Sequence, residues 1–396
     1  MRNTSLIFSS LFVAVSFVTV LLGCNSDKKE TESSSDSLTT SGNVLFLNES
    51  DSRLNDRNFE QVPAVVSSAD GKQVFVAWYS GGAAPGPGNY VTLSVSDDGG
   101  NNWKNDQLVV YPEDPNYRFF DPALWRDKNN QLHLFYGSAK DSLLWDGFGG
   151  VNEIEINWDG SKIAHSQSKR ISDGVMSNKP IYLASKDQAL FPIYIDKPLT
   201  ADSSGKVFPK NGAFIMSVDY LKSDDLSSAS LYSSIKIDEE IRIHDEPQLV
   251  QISEEGSFLA MVRTTKGIYY TTSADYGKTW NEVQPFTASG PTTSSRFYLG
   301  KLASGNLLLV SNSSTTRNNM TAFLSKDGGK TWPSKILLDA RENVSYPDAD
   351  QSADGNIHVV FDRDRTGAKD ILYCRFTEAD LINGDDTKVF KKRVNK

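Results

Sequence analysis

Four short stretches of this chain set charged side chains among aromatic or apolar ones, several beside proline or glycine. They are Tyr117-Arg118-Phe119-Phe120-Asp121-Pro122, Trp145-Asp146-Gly147, Met176-Ser177-Asn178-Lys179-Pro180 and Ser295-Arg296-Phe297-Tyr298. Such a mixture suits a sugar site, where rings stack on the apolar faces of a pyranose and charges read its hydroxyls. The rings Phe120, Trp125 and Trp145 would serve equally well as core. Arg118, Lys179 and Arg296 are better candidates for substrate binding, because charge is costly inside a folded domain. In His244-Asp245-Glu246-Pro247-Gln248-Leu249, the histidine and the glutamate are two apart and would share one face of a strand. The other histidines, His133, His165 and His358, lack metal-ligand spacing, and no phosphate loop or nucleophile elbow is present. No metal or cofactor is therefore expected. His133 and His358 lie in strand-like runs.

The elements that must position these residues announce themselves in a repeat. Ser96-Asp97-Asp98-Gly99-Gly100-Asn101-Asn102-Trp103, Ser273-Ala274-Asp275-Tyr276-Gly277-Lys278-Thr279-Trp280 and Ser325-Lys326-Asp327-Gly328-Gly329-Lys330-Thr331-Trp332 share the form S-x-D-x-G-x-[TN]-W. Each follows a strand-like run. The aspartate is suited to accept backbone N–H groups two or three residues on, and the glycine to supply a positive φ. The tryptophan then packs on the turn as the next strand begins. The pattern is that of a hairpin turn used three times.

The repeat resembles the Asp-box, or BNR repeat, of the sialidase-type β-propellers. That resemblance implies an all-β fold of four-stranded antiparallel blades, with each box joining the third strand to the fourth. The second and third boxes lie 52 residues apart by their tryptophans, which suits one blade. Residues 44–396 then accommodate six blades, or seven. The first and second boxes are 177 residues apart, so intervening blades must lack one; Ser217-Val218-Asp219-Tyr220 reads as a remnant.

The resemblance also implies roles. Tyr346, in Val344-Ser345-Tyr346-Pro347-Asp348, matches the family's catalytic tyrosine. Glu246 matches the carboxylate that activates it, and Arg317 matches one of three arginines that clamp a substrate carboxylate. A guanidinium suits that role because it binds a carboxylate through two parallel hydrogen bonds. The departures are as informative. Gln61, in Glu60-Gln61-Val62-Pro63, stands where the first clamp arginine belongs. At the second clamp position stand Gly267 and Ile268, with Arg263 a few residues earlier. The loop at residues 80–89, where the family places its acid aspartate, contains no carboxylate.

Arg2 is followed by an apolar run over residues 6–22 that ends in Leu21-Leu22-Gly23-Cys24. This resembles a lipoprotein signal peptide over residues 1–23, with Cys24 as the lipidated residue. Residues 24–43 are polar and rich in serine and threonine, as a flexible tether would be. The expected location is a bacterial cell envelope, lipid-anchored at the outer membrane, on either its periplasmic or its surface face. The one further cysteine, Cys374, cannot form a disulfide within the mature chain. A formal charge of −9 argues against nucleic acid as a partner, though a local arginine cluster would still hold an acidic sugar. A monomer is expected.

Together these features point to a carbohydrate-active enzyme working at the non-reducing end of an acidic oligosaccharide. The favoured reaction is β-elimination on a uronic acid, with Arg317 and Gln61 on the carboxylate and Tyr346 or His244 moving the proton. A sialidase-like retaining exo-glycosidase is the first alternative. A non-catalytic glycan-binding lipoprotein is the second.

Overall fold

The computed structural model describes residues 43–140, 149–196 and 212–395. Cys24, the tether and the Trp145-Asp146-Gly147 segment lie outside them.

The second strand of the first sheet, Val74–Ser80, reads VFVAWYS and is buried along its whole length. A run that is apolar on both faces is what a strand needs when sheets cover it from two sides. Its neighbours show those two covers. Phe75, Ala77 and Tyr79 pack with Phe119, Phe135 and Tyr136 of the next sheet. Val76 and Trp78 pack with Val360, Ile371 and Tyr373 of the last. Six antiparallel sheets follow this plan, each made of consecutive strands. They are the blades of a six-bladed β-propeller, which decides between six and seven. The helix Glu378–Asn383 is the one α-helix among the described residues, and it carries a capping box at Thr377 and Asp380.

The first strands of the blades face one another around the hub. In chain order they are Glu60–Ser67, Tyr117–Arg126, Ile181–Leu183, Gln248–Gln251, Tyr298–Lys301 and Val344–Gln351. Too far apart to share backbone ladders, they are joined by side chains. Asp348 Oδ2 accepts Val65 N at 2.8 Å, and Asp350 Oδ2 accepts Ser67 N at 2.7 Å, which closes blade six on blade one. Gln248 Oε1 accepts Leu299 N at 2.6 Å, and Gln248 Nε2 donates to Asn178 Oδ1 at 2.8 Å.

The three boxes occupy the third-to-fourth hairpins of blades one, four and five. In each, the serine hydroxyl donates to the aspartate and accepts the N–H of a glycine: Ser96 from Gly100, Ser273 from Gly277, Ser325 from Gly329. The aspartate accepts a backbone N–H four residues on, from Asn102, Thr279 and Thr331, and in the second box Asp275 also accepts Lys278 N, three residues on as the sequence suggests. Asp219 ends the third strand of blade three, where a box would start, but accepts only from Leu221 N and pairs with Lys222.

Candidate active site

One local device recurs at the head of the first strands. In blade one Gln61 pairs with Tyr79 and Ala64 with Ala77, so one residue too many is fitted in. Blade two does the same between Phe120 and Ala123, and blade six between Ser345 and Asp348. In blade four Arg263 N donates to Asp245 O at 2.7 Å while Gln248 pairs with Met261. Each is a β-bulge, and bulges re-aim a side chain. The residue before the proline is left-handed in all four: Val62 at φ 53°, Asp121 at 46°, Glu246 at 43° and Tyr346 at 52°. Such a conformation is strained for these residue types and is held only by its surroundings. Thus Asp121, Glu246 and Tyr346 come from equivalent positions on three blades.

Tyr346 is the centre of the cluster. Its hydroxyl accepts from Arg263 Nη1 at 3.3 Å and Arg317 Nη2 at 3.2 Å. The guanidinium carbons of Arg365 and Arg317 lie 4.2 and 4.8 Å from its ring centroid. Burial alone would raise the phenol pKa. The charges of Arg365, Arg263 and Arg317 outweigh burial and the opposing charge of Glu246, and lower it below 10. The phenolate therefore forms more readily here than it would on a tyrosine in water.

Glu246 is linked to Tyr346 through Arg263. Arg263 Nη1 donates to Glu246 Oε1 at 3.2 Å, so one guanidinium nitrogen bridges the carboxylate and the phenol. Glu246 Oε2 is buried with no hydrogen-bond partner. Arg263 therefore reaches the site although it precedes the family's clamp position in the chain.

His244 and Glu246 do not sit on a strand. The strand starts at Gln248, and His244, Asp245 and Glu246 take successive φ values of 51°, 20° and 43°. Arg242 holds this kink by pairing with Asp245, which is fully buried. Asp196 holds the histidine, accepting His244 N at 3.1 Å and lying 2.9 Å from its Nδ1. Burial lowers the imidazole pKa, but the hydrogen bond and charge of Asp196, with Glu246, overcome it and raise the pKa to about 9. At neutral pH His244 is an imidazolium, able to give a proton rather than take one.

Asp121 lies near enough to Arg118, Glu246, Arg296 and His244 to feel their charges, and burial dominates to raise its carboxyl pKa. Arg118 is buried, with its guanidinium carbon 3.9 Å from the Phe120 ring centroid. Gln61 is buried beside Tyr79, and its Oε1 has no partner. Trp125 and Phe120 pack in the blade core.

Arg296 and Lys179 are placed differently. Arg296 is 1% exposed and spends its donors on backbone carbonyls, Ser177 O at 2.5 Å and Pro63 O at 2.8 Å, with Tyr346 O and Pro347 O at 3.4 Å. Lys179 Nζ donates to Leu124 O at 2.9 Å and to Val65 O, and pairs with Asp348 at 2.7 Å. Both stitch the hub together, Arg296 through its Nη donors, while its Nε stays buried with no partner. The physical reason is that the first strands leave carbonyls facing the axis, and a buried carbonyl needs a donor.

Arg365 and Tyr79, neighbours of the tyrosine, and Asp196, the partner of His244, were not readable from single segments. One signal does mark the bulges. Pro63, Pro122, Pro247 and Pro347 follow the four left-handed residues, and with Pro180 of blade three they fall at intervals of 59, 58, 67 and 100, roughly one blade, then two.

The propeller is similar to several solved structures. The Hadza microbial sialidase Hz136 superposes with a TM-score of 0.61 at 16% identity, over 82% of this chain and 66% of that one. This chain thus spans just under two thirds of that relative. A protein of unknown function from Dyadobacter fermentans gives 0.58 at 15% identity, over 82% and 94%. The intramolecular trans-sialidase from Ruminococcus gnavus gives 0.54 at 15%, over 83% and 96%. Among curated protein sequences nothing matches. Residues 72–359 match the family model described as BNR repeat-like domain. With most of the propeller inside that match, the chain belongs to the BNR repeat-like family.

Proposed function

We propose that this protein is a carbohydrate-active enzyme that removes a group from a terminal acidic sugar by β-elimination. The observation that carries the proposal is the Tyr346 hydroxyl, held between Arg263 and Arg317 with its pKa lowered. A phenolate so placed is a base beside cations suited to a carboxylate. The sugar carboxylate, neutralised by guanidinium, acidifies the hydrogen on C5. Tyr346 takes that proton. The C5–H electron pair becomes the C4=C5 double bond, the C4–O bond breaks, and the departing oxygen receives a proton from the His244 imidazolium. The leaving group is water or a sugar.

A second reading is a retaining exo-glycosidase, as the sialidases among the structural neighbours suggest. Here Tyr346 would attack the anomeric carbon and Asp121, with its raised pKa, would protonate the leaving oxygen. The loop at residues 80–89 offers no carboxylate for that role.

Product mass distinguishes the readings in one experiment on uronic-acid and sialic-acid oligosaccharides. Elimination of a sugar gives two products whose masses sum to the substrate, one absorbing in the near ultraviolet. Elimination of water gives a single lighter product, and hydrolysis adds water across the bond. Tyr346→Phe is expected to lower turnover by about a thousandfold or more while leaving the melting temperature within a few degrees. Hydrolytic products alone would overturn the elimination, and undiminished turnover by Tyr346→Phe would overturn both readings.

A further inference from the structure

Four guanidinium groups lie within 6.0 Å of the Tyr346 ring centroid: those of Arg263, Arg296, Arg317 and Arg365. Their charges are not equally available to a ligand. Arg296 is committed to backbone carbonyls in the hub. Arg263 is paired with Glu246 at 3.2 Å, both side chains almost wholly buried. Arg317 pairs with no carboxylate among the described residues, and its Nη2 donates to the phenol.

Arg365 is reached by a route that no sequence segment signals. It lies in the loop between Asn356–Arg363 and Asp370–Thr377, the second and third strands of blade six. Its carbonyl accepts Glu60 N at 3.1 Å, which ties the loop to the head of blade one beside Gln61. Its Nη2 donates to Ser345 Oγ at 2.7 Å, and its Nε approaches Asp362 Oδ1 at 3.4 Å. Asp362 is a shared acceptor: its Oδ2 takes Val62 N at 3.0 Å and its Oδ1 takes Ser345 Oγ at 2.8 Å. Its charge is thus spread over three donors, and the long contact to Arg365 leaves that cation only partly neutralised. Gln61, next in the chain after the residue that bonds the Arg365 carbonyl, offers an amide oxygen with no partner.

We infer that Arg365, together with Arg317, binds the anionic group of the substrate, supplying from blade six the cation that position 61 of blade one lacks. The inference rests on the reading of this site as one for an acidic sugar. Arg263 then acts differently, holding Glu246 against the phenol. Gln61 lies beside the anion as a neutral amide, and its side chain is left to read a hydroxyl.

The test measures binding separately from turnover. Glucuronic, galacturonic and N-acetylneuraminic acids, and their carboxyl-reduced alcohols, are titrated calorimetrically into the full-length protein. At least one acid is expected to bind, and its alcohol about tenfold or more weaker. Arg365→Lys keeps the charge but loses the planar fork, and should weaken the acid by about tenfold while leaving the alcohol unchanged. Adding Gln61→Arg to that variant should recover affinity, an outcome that a merely structural arginine would not produce. An unchanged affinity in Arg365→Lys, or the absence of binding by every acid, overturns the inference. If Arg365→Lys proves unstable to heat, Gln61→Arg in the parent decides: a second cation beside Arg365 should tighten the acid, and a loss of acid binding there would overturn the placement. Elimination with Arg365-independent binding would refute the inference and spare the function. Arg365-dependent binding with no elimination product would do the reverse.

Discussion

At the scale of the residue, the site pairs a phenol made more acidic with an imidazole made more basic. The opposed shifts have one source, the partition of charge between Arg263, Arg317 and Arg365 on one side and Asp196 and Glu246 on the other. If Tyr346 acts as phenolate and His244 as imidazolium, kcat follows a bell in pH, because the rate needs the phenol ionised and the imidazolium, lost as pH rises through about 9, still protonated. His244→Asn should remove the alkaline limb and leave the acid limb, as rates measured across that range would show. Stability follows the same histidine. Its folded pKa is raised, so the contribution of the Asp196 pair is complete below 6.5 and is lost as pH rises through about 9. Much of this site was legible from segments. Tyr346, Glu246 and Arg317 sit in stretches with a recognisable local form, and the structure brings the three together. Arg365 was not legible because nothing near it in sequence marks it. It acquires a neighbour in Tyr346 only when the first two strands of blade six pair and carry its loop over the ring.

At the scale of the element, two devices do the positioning: the bulge at the head of the first strand in blades one, two, four and six, and the box at the far end of the third strand in blades one, four and five. The box is legible because the hydrogen bonds that its serine and aspartate make with one another and with the turn lie within four residues, so its sequence must carry them. The bulge was legible too, as a proline spacing, but it takes a blade count to see it. In blades two, three and six other turns replace the box. Asp159 accepts from Ser161 and Lys162 in one, and the helix Glu378–Asn383 fills another. Such turns are interchangeable, which is why single blades escape detection. Hydrogen bonds from Thr279 and Thr331 hold the carboxyls of Asp275 and Asp327 at about 2 instead of 3.8. Depressed folded values mean that the boxes stabilise the fold fully above 3.8 and lose that contribution as pH falls toward 2. Asp275→Asn should therefore lower the melting temperature at neutral pH and flatten its dependence on acid, as thermal scans in this range would show. An equal loss at both ends of the range would contradict the assignment.

At the scale of the whole molecule, the ring is closed without exchange of a strand between its ends. The sixth sheet runs entirely on C-terminal strands and the first entirely on N-terminal ones. Closure instead rests on Asp348, Asp350 and Asp362 receiving the backbone N–H groups of Val65, Ser67 and Val62, with Lys179 holding Asp348 from across the hub. The Lys179–Asp348 pair is mostly buried, so removing one partner strands the other. Asp348→Asn should cost about 3–5 kcal/mol in urea unfolding, and adding Lys179→Met should recover part of it. The same seam sets when the protein can first act. Its hydrogen bonds join positions 283 and 300 residues apart. A chain still on the ribosome can display Asp121, Glu246 and Arg263, yet it has neither the phenol nor the cation that rests on it. Synthesis therefore delivers the phenol and Arg365 after every other member of the cluster, and the constellation is complete only once blade six has formed.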